Sequence, residues 1–109
     1  MKLLSSFSFS MVNEYPIEIL AQEVSRNRVK AMLKRKEVEP SIGHPSLAAV
    51  FSGVFGMKIE SERVKIKLKK GEKALIAQLF RANRLPEGRI LTIEDIKKIK
   101  IKFLLIEIR

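Results

Sequence analysis

His44 is the only histidine among 109 residues, and it stands between Gly43 and Pro45 in the stretch PSIGHPSLAAVFSG. An imidazole can give or take a proton near neutral pH, which is what general acid–base chemistry needs. Proline suits the first position of a helix, because the N–H it lacks would have no partner there. With Pro45 first in a helix, His44 becomes its N-cap, where unpaired backbone N–H groups meet the positive end of the helix dipole. Such an end holds anions, phosphate among them. Ser46 adds a hydroxyl at the same place. An imidazole there can hydrogen-bond a phosphate, or protonate the leaving oxygen of a phosphate ester once a bound anion favours the imidazolium. A capping histidine with no further duty is the plain alternative, and spacing leaves both open.

Two more sets carry charge. In RLPEG, Arg84 and Glu87 flank a proline in a short loop. A guanidinium can grip phosphate as a fork, and a carboxylate can accept from ribose hydroxyls or hold the arginine. By itself this is equally a surface ion pair shaping a turn. Lys65, Lys67, Lys69 and Lys70 form a ladder that reads as a phosphate track or as the wet side of a strand. The sequence contains no P-loop, no G-x-G-x-x-G and no G-x-S-x-G. Any phosphodiester chemistry therefore suits RNA, whose 2′-hydroxyl attacks its own phosphorus. The protein then aligns that hydroxyl, stabilises negative charge and protonates the leaving 5′-oxygen.

Composition frames these groups. Apolar residues make up 46% and charged residues 31%, a globular balance, and the length suits a single domain over residues 1–109. No cysteine and one histidine exclude disulfides and the usual zinc sites, so neither metal nor cofactor is expected. The net charge is +10, with fifteen basic and seven acidic residues after position 50 against seven and five before it. That asymmetry points to a phosphate-rich partner, or to the lysine-studded surface common in proteins from hot habitats. The start, MKLLSSFSFSMV, interleaves serines with its apolar residues and so reads as a strand and not as a signal peptide. No run approaches the ~20 apolar residues of a membrane span, and a cytoplasmic protein is expected.

The elements follow from periodicity. Lys2 to about Ser8 reads as a strand, NEYP as a turn, and IEILAQ as a second strand. Ser25 caps a helix with Val29, Met32 and Leu33 on one face, and KEVEPSIGH is a loop. A second helix begins at Pro45, buries Leu47, Val50, Phe51 and Val54, and ends at Gly56. RVKIKLKKGEKALIAQLF reads as a β-hairpin, RANRLPEGR as a loop, IEDIKKI as a short helix capped by Thr92, and IKFLLIEI as an apolar last strand. The expected fold class is α/β (α+β), a single mixed sheet of about five strands flanked by helices.

Taken together, SSFSFSM, SIGHPS, ERVKIKL and AQLFRANRLPEG resemble a family of small conserved proteins of crenarchaeal viruses, which includes viral ring nucleases. Those nucleases degrade cyclic tetra-adenylate and so antagonise type III CRISPR defence. The resemblance spans nearly the whole chain. It implies a metal-independent ring nuclease in the host cytoplasm, working as a homodimer with cyclic tetra-adenylate bound across the two-fold axis. His44 matches the catalytic histidine, the general acid for the 5′-oxygen. Ser8, Gly43, Ser46, Gln78, Arg84 and Glu87 fall at substrate-binding positions. The chain departs from the family at Ser5 and Ser10, where members carry asparagine, at Leu47, where they carry threonine, and by two extra residues between Gln78 and Arg84. A non-catalytic, basic, dimeric nucleic-acid-binding protein is the alternative that the charge supports. A sponge that binds the cyclic nucleotide uncut is a third.

Overall fold

The computed structural model describes residues 1–62, 65–79 and 100–109. Arg84, Glu87, the loop around them and the helix expected after Thr92 lie outside the described residues. The elements are β1 (Lys2–Leu4), β2 (Ile19–Val24), α1 (Arg26–Lys34), β3 (Glu39–Pro40), α2 (Pro45–Phe55), β4 (Lys73–Leu79) and β5 (Ile101–Ile108). The strands form one mixed sheet in the order β2-β5-β4-β1-β3. β1 is parallel to both β3 and β4, whereas β5 is antiparallel to β2 and β4. This is the mixed five-stranded α+β sheet that the periodicity suggests, with the apolar β5 inside it.

Alternation along the strands divides the interior into two layers. Leu3, Val24, Leu75, Ala77 and Phe103 face the helices, where they meet Val29 and Leu33 of α1 and Ala48, Phe51 and Phe55 of α2. Leu4, Ala74, Ile76, Ile106 and Ile108 face the other way and are covered by Val12, Leu68, Phe7, Met11 and Ile66. Among the described residues both helices therefore sit on one side, and irregular chain covers the other. The helix starts follow capping chemistry. The Ser25 hydroxyl accepts from the Arg28 N–H at 3.2 Å. At the far end of α2, Gly56 takes the left-handed conformation (φ 64°) that ends the helix.

Three expectations give way to other structure. β1 ends at Leu4 and not near Ser8. The Ser8 hydroxyl accepts from the Ser10 N–H at 3.3 Å and caps a 3-10 turn, Phe9–Met11. Serine hydroxyls compete locally with the sheet ladder, and here the local bond wins. The loop after α1 contains the two-residue β3, paired with Lys2 and Leu3. The hairpin does not form. Among residues 65–69 only Leu68 makes a β-bridge, and its partner is Val12, in parallel. Both edges of β4 are taken instead by β1 and β5. The alternation of Lys65, Ile66, Lys67 and Leu68 does hold as an exposure pattern, lysines outward and Leu68 buried. The turn is also real: Gly71 has φ 92°, and the Glu72 carboxylate accepts from the Lys69 N–H at 2.8 Å.

Candidate functional site

β1, β3 and β4 run parallel, so their carboxyl ends share one rim of the sheet. In open sheets of this kind, ligands sit in the crevice beyond those ends. A groove of about 460 Å³ runs from the exit of β1 at that rim back along β4 and β5, lined by Ser5, Ser6, Phe7, Leu47, Ile76, Gln78, Leu104 and Ile106. Ser5 to Phe7 are the residues by which the chain leaves β1. Ile76 and Gln78 are two apart on β4 and share a face. Ile76 is paired with Leu104, and Ala74 with Ile106, so β5 supplies the floor beside them. The lining is largely apolar, with two hydroxyls and one amide, which is the balance of a small-molecule pocket.

Leu47 ties this groove to α2, because it belongs to the helix's first turn. His44 caps that turn as the sequence suggests, with extended backbone (φ −103°, ψ 121°). Its side chain is exposed. The Ser46 N–H donates to His44 Nδ1 at 3.2 Å, and the His44 carbonyl accepts from the Ala48 N–H at 3.0 Å. With its Nδ1 lone pair engaged, the neutral ring carries its proton on Nε2. A proton on Nδ1 and this cap bond exclude each other. The imidazole is thus fixed in direction by a helix terminus while its second nitrogen remains available for a ligand. Gly43 precedes the cap, and Ser46 is half-buried in the first turn.

The other candidates divide. Gln78 is exposed in the groove. Ser8 is outside its lining, with its oxygen 3.0 Å from the Ser10 hydroxyl. Arg84 and Glu87 are beyond the described residues. Sequence reasoning did not single out Ser6, Phe7, Ile76, Leu104 and Ile106 as groove residues. Ile76 was within reach, since it shares a strand face with Gln78. Leu104 and Ile106 arrive through long-range pairing that no local pattern shows. Among the described residues no three His, Cys, Asp or Glu side chains gather as a metal site, and no helix is long and apolar enough to cross a membrane.

Among the described residues, a mixed five-stranded sheet with two helices on one face and a groove running from the exit of β1 along the sheet defines the class: a small single-sheet α+β protein. The chain belongs to the STIV B116-like family, whose profile matches residues 1–103. It is similar in structure to B116 of Sulfolobus turreted icosahedral virus, with a TM-score of 0.79, 26% identity and coverage of 97% of both chains. In sequence it is 28% identical over 96 residues to the uncharacterized protein 26 of Sulfolobus islandicus filamentous virus (isolate Iceland/Hveragerdi), covering 87% of this chain and 78% of that one. It is also 30% identical over 103 residues to the uncharacterized protein YddF of Bacillus subtilis (strain 168), covering 93% and 94%.

Proposed function

We propose that this protein is a metal-independent phosphodiesterase of an archaeal virus that opens cyclic tetra-adenylate and so counters type III CRISPR signalling in the host cytoplasm. The observation that carries the reading is the exposed His44 ring, held at the N-terminus of α2 by the Ser46 N–H in the same first turn as Leu47, which lines the groove. The positive end of the α2 dipole attracts a phosphate of the ring. A 2′-hydroxyl of the substrate attacks the adjacent phosphorus and releases its proton to solvent. The bond from phosphorus to the 5′-oxygen breaks as His44, in its imidazolium form with Nδ1 released from the Ser46 N–H, gives its Nε2 proton to that oxygen. The products are linear oligoadenylates ending in a 2′,3′-cyclic phosphate and a free 5′-hydroxyl, and His44 regains a proton from water. No water is consumed and no metal is called on, because the nucleophile belongs to the substrate.

Gln78 and the serines of the groove face the nucleotide, and Gly43 and Ser46 belong to the phosphate-binding turn. Arg84 and Glu87 act as the resemblance implies, gripping phosphate and orienting ribose. The active form is a homodimer with the ring across its two-fold axis. The test is incubation with labelled cyclic tetra-adenylate in EDTA, with single-stranded RNA and duplex DNA as controls. Cleavage of the cyclic molecule alone, slowed roughly 10²–10⁴-fold in His44→Ala, is the expected result. Equal rates for the variant and the parent would refute the assignment.

A further inference from the structure

Alternation along β5 puts Lys102, Leu104, Ile106 and Ile108 on one face of the sheet. Leu104 and Ile106 line the groove, and Ile106 and Ile108 are buried. Lys102 thus ends an otherwise apolar stripe with a charge. Its partner on β4 is Gln78, which lines the groove as well. Residues directly opposite in an antiparallel pair hold their Cβ atoms about 4.5–5.5 Å apart on the same face, so the lysine stem starts beside the groove's amide. Two ordinary reasons for a lysine in a strand do not apply here. Lysines guard open sheet edges, but β5 is paired on both sides, with β2 and with β4. Lysines also fill the solvated face of a strand, but Lys102 is half-buried and the next residues on its face are apolar. An ammonium that has lost part of its hydration favours an anion as its neighbour.

We infer that Lys102 binds a phosphate of the cyclic nucleotide other than the one being cleaved, an inference that rests on the proposed function of the groove. Cyclic tetra-adenylate carries a phosphodiester for every nucleotide, so the phosphate drawn to α2 has neighbours along the ring. His44 and the α2 dipole adjoin the groove through Leu47, and Lys102 adjoins it through Gln78. A ring lying in the groove meets both. An ammonium on a flexible stem is a point charge that holds a phosphate without fixing its orientation. The charge on a spectator phosphate does not change as another bond breaks, so Lys102 holds the intact ring and the transition state equally. Uniform binding of this kind lowers KM and leaves kcat alone.

The test pairs steady-state cleavage of cyclic tetra-adenylate with calorimetric binding of its 2′-deoxy form, which has no hydroxyl to attack phosphorus. Lys102→Met keeps the stem and suits the apolar stripe, and Lys102→Gln is a second neutral variant. Each raises KM, and the dissociation constant for the deoxy ring, roughly 10- to 100-fold, the scale of a hydrogen bond to a charged group. Their kcat stays within about twofold of the parent. Lys102→Arg restores most of the affinity, because the positive charge returns. Lys34→Gln, which removes the same charge from the exposed end of α1, leaves KM unchanged and so separates a local contact from long-range attraction. A parent that binds and cleaves the ring, with Lys102→Met and Lys102→Gln binding it equally well, overturns the inference alone. A fall in kcat with KM unchanged also overturns it and moves Lys102 to the scissile phosphate. A parent that neither binds the deoxy ring nor cleaves cyclic tetra-adenylate overturns both the inference and the function beneath it.

Discussion

At the scale of the residue, His44 does two jobs that one substitution can separate. Its Nδ1 accepts the Ser46 N–H, which is ordinary N-cap chemistry. Its Nε2 is the nitrogen left for a substrate. His44→Ala removes both functions, and the lost cap alone should lower stability by about 1 kcal/mol. Asparagine is among the best N-cap residues but carries no exchangeable acid, so His44→Asn should melt within a degree or so of the parent and still fail to turn over cyclic tetra-adenylate. Thermal melts and single-turnover assays on the pair check this. An asparagine variant that cleaves at the parental rate would show that capping is the whole of the residue's contribution. Much of this was readable from G-H-P-S, because proline at the first helical position fixes who precedes it. The fate of Ser8 was not: a hydroxyl's choice between its neighbour's N–H and a ligand is decided by backbone geometry that appears only once β1 stops at Leu4.

At the scale of the element, helices were more legible than strand partners. Ser25 and Gly56 mark ends by local chemistry, and the structure keeps both marks. Gly56 offers a clean measurement. A Cβ there would meet nothing within 4 Å, so Gly56→Ala introduces no clash and costs only the left-handed backbone strain, about 1 kcal/mol. A urea titration should show a lower midpoint with an unchanged slope. Alternation along residues 65–69 correctly told which side chains face water but not which strand they would join. Period-two patterning specifies a face; the partner depends on what else competes for the edge, and β1 arrives at β4 from 72 residues upstream to take it, Leu4 against Ile76 in the register and Leu3 against Leu75. A separation of that length is invisible to any local window. β3, two residues long and containing Pro40, lies below what periodicity can detect.

At the scale of the molecule, the two layers are unequal. On the helix side, Phe51 and Phe55 are fully buried, and Phe55 meets Phe103 of β5 with ring centroids 5.5 Å apart. On the other side, the cover is irregular chain whose Ile66 and Phe7 are only partly buried. Phe51→Ala should therefore cost roughly 3–5 kcal/mol, a large share of the ~5–15 kcal/mol by which domains are stable. Ile66→Ala should cost clearly less, because a half-exposed site leaves little cavity. Denaturant unfolding of both variants tests the asymmetry, and a loss for Ile66→Ala equal to that for Phe51→Ala would show that the irregular layer carries as much of the fold as the helices do.

The order of the sheet also sets a timetable. Among the described residues β2 is hydrogen-bonded within the sheet to β5 alone, and β5 is made of residues 101–108. A ribosome finishes β2 long before it reaches Ile101, so the nascent strand waits with Ile19 and Leu20 bare and no neighbour to zip against. Translation must outrun misassociation, and the sheet can close on that flank only after the codon for Ile108 has been read.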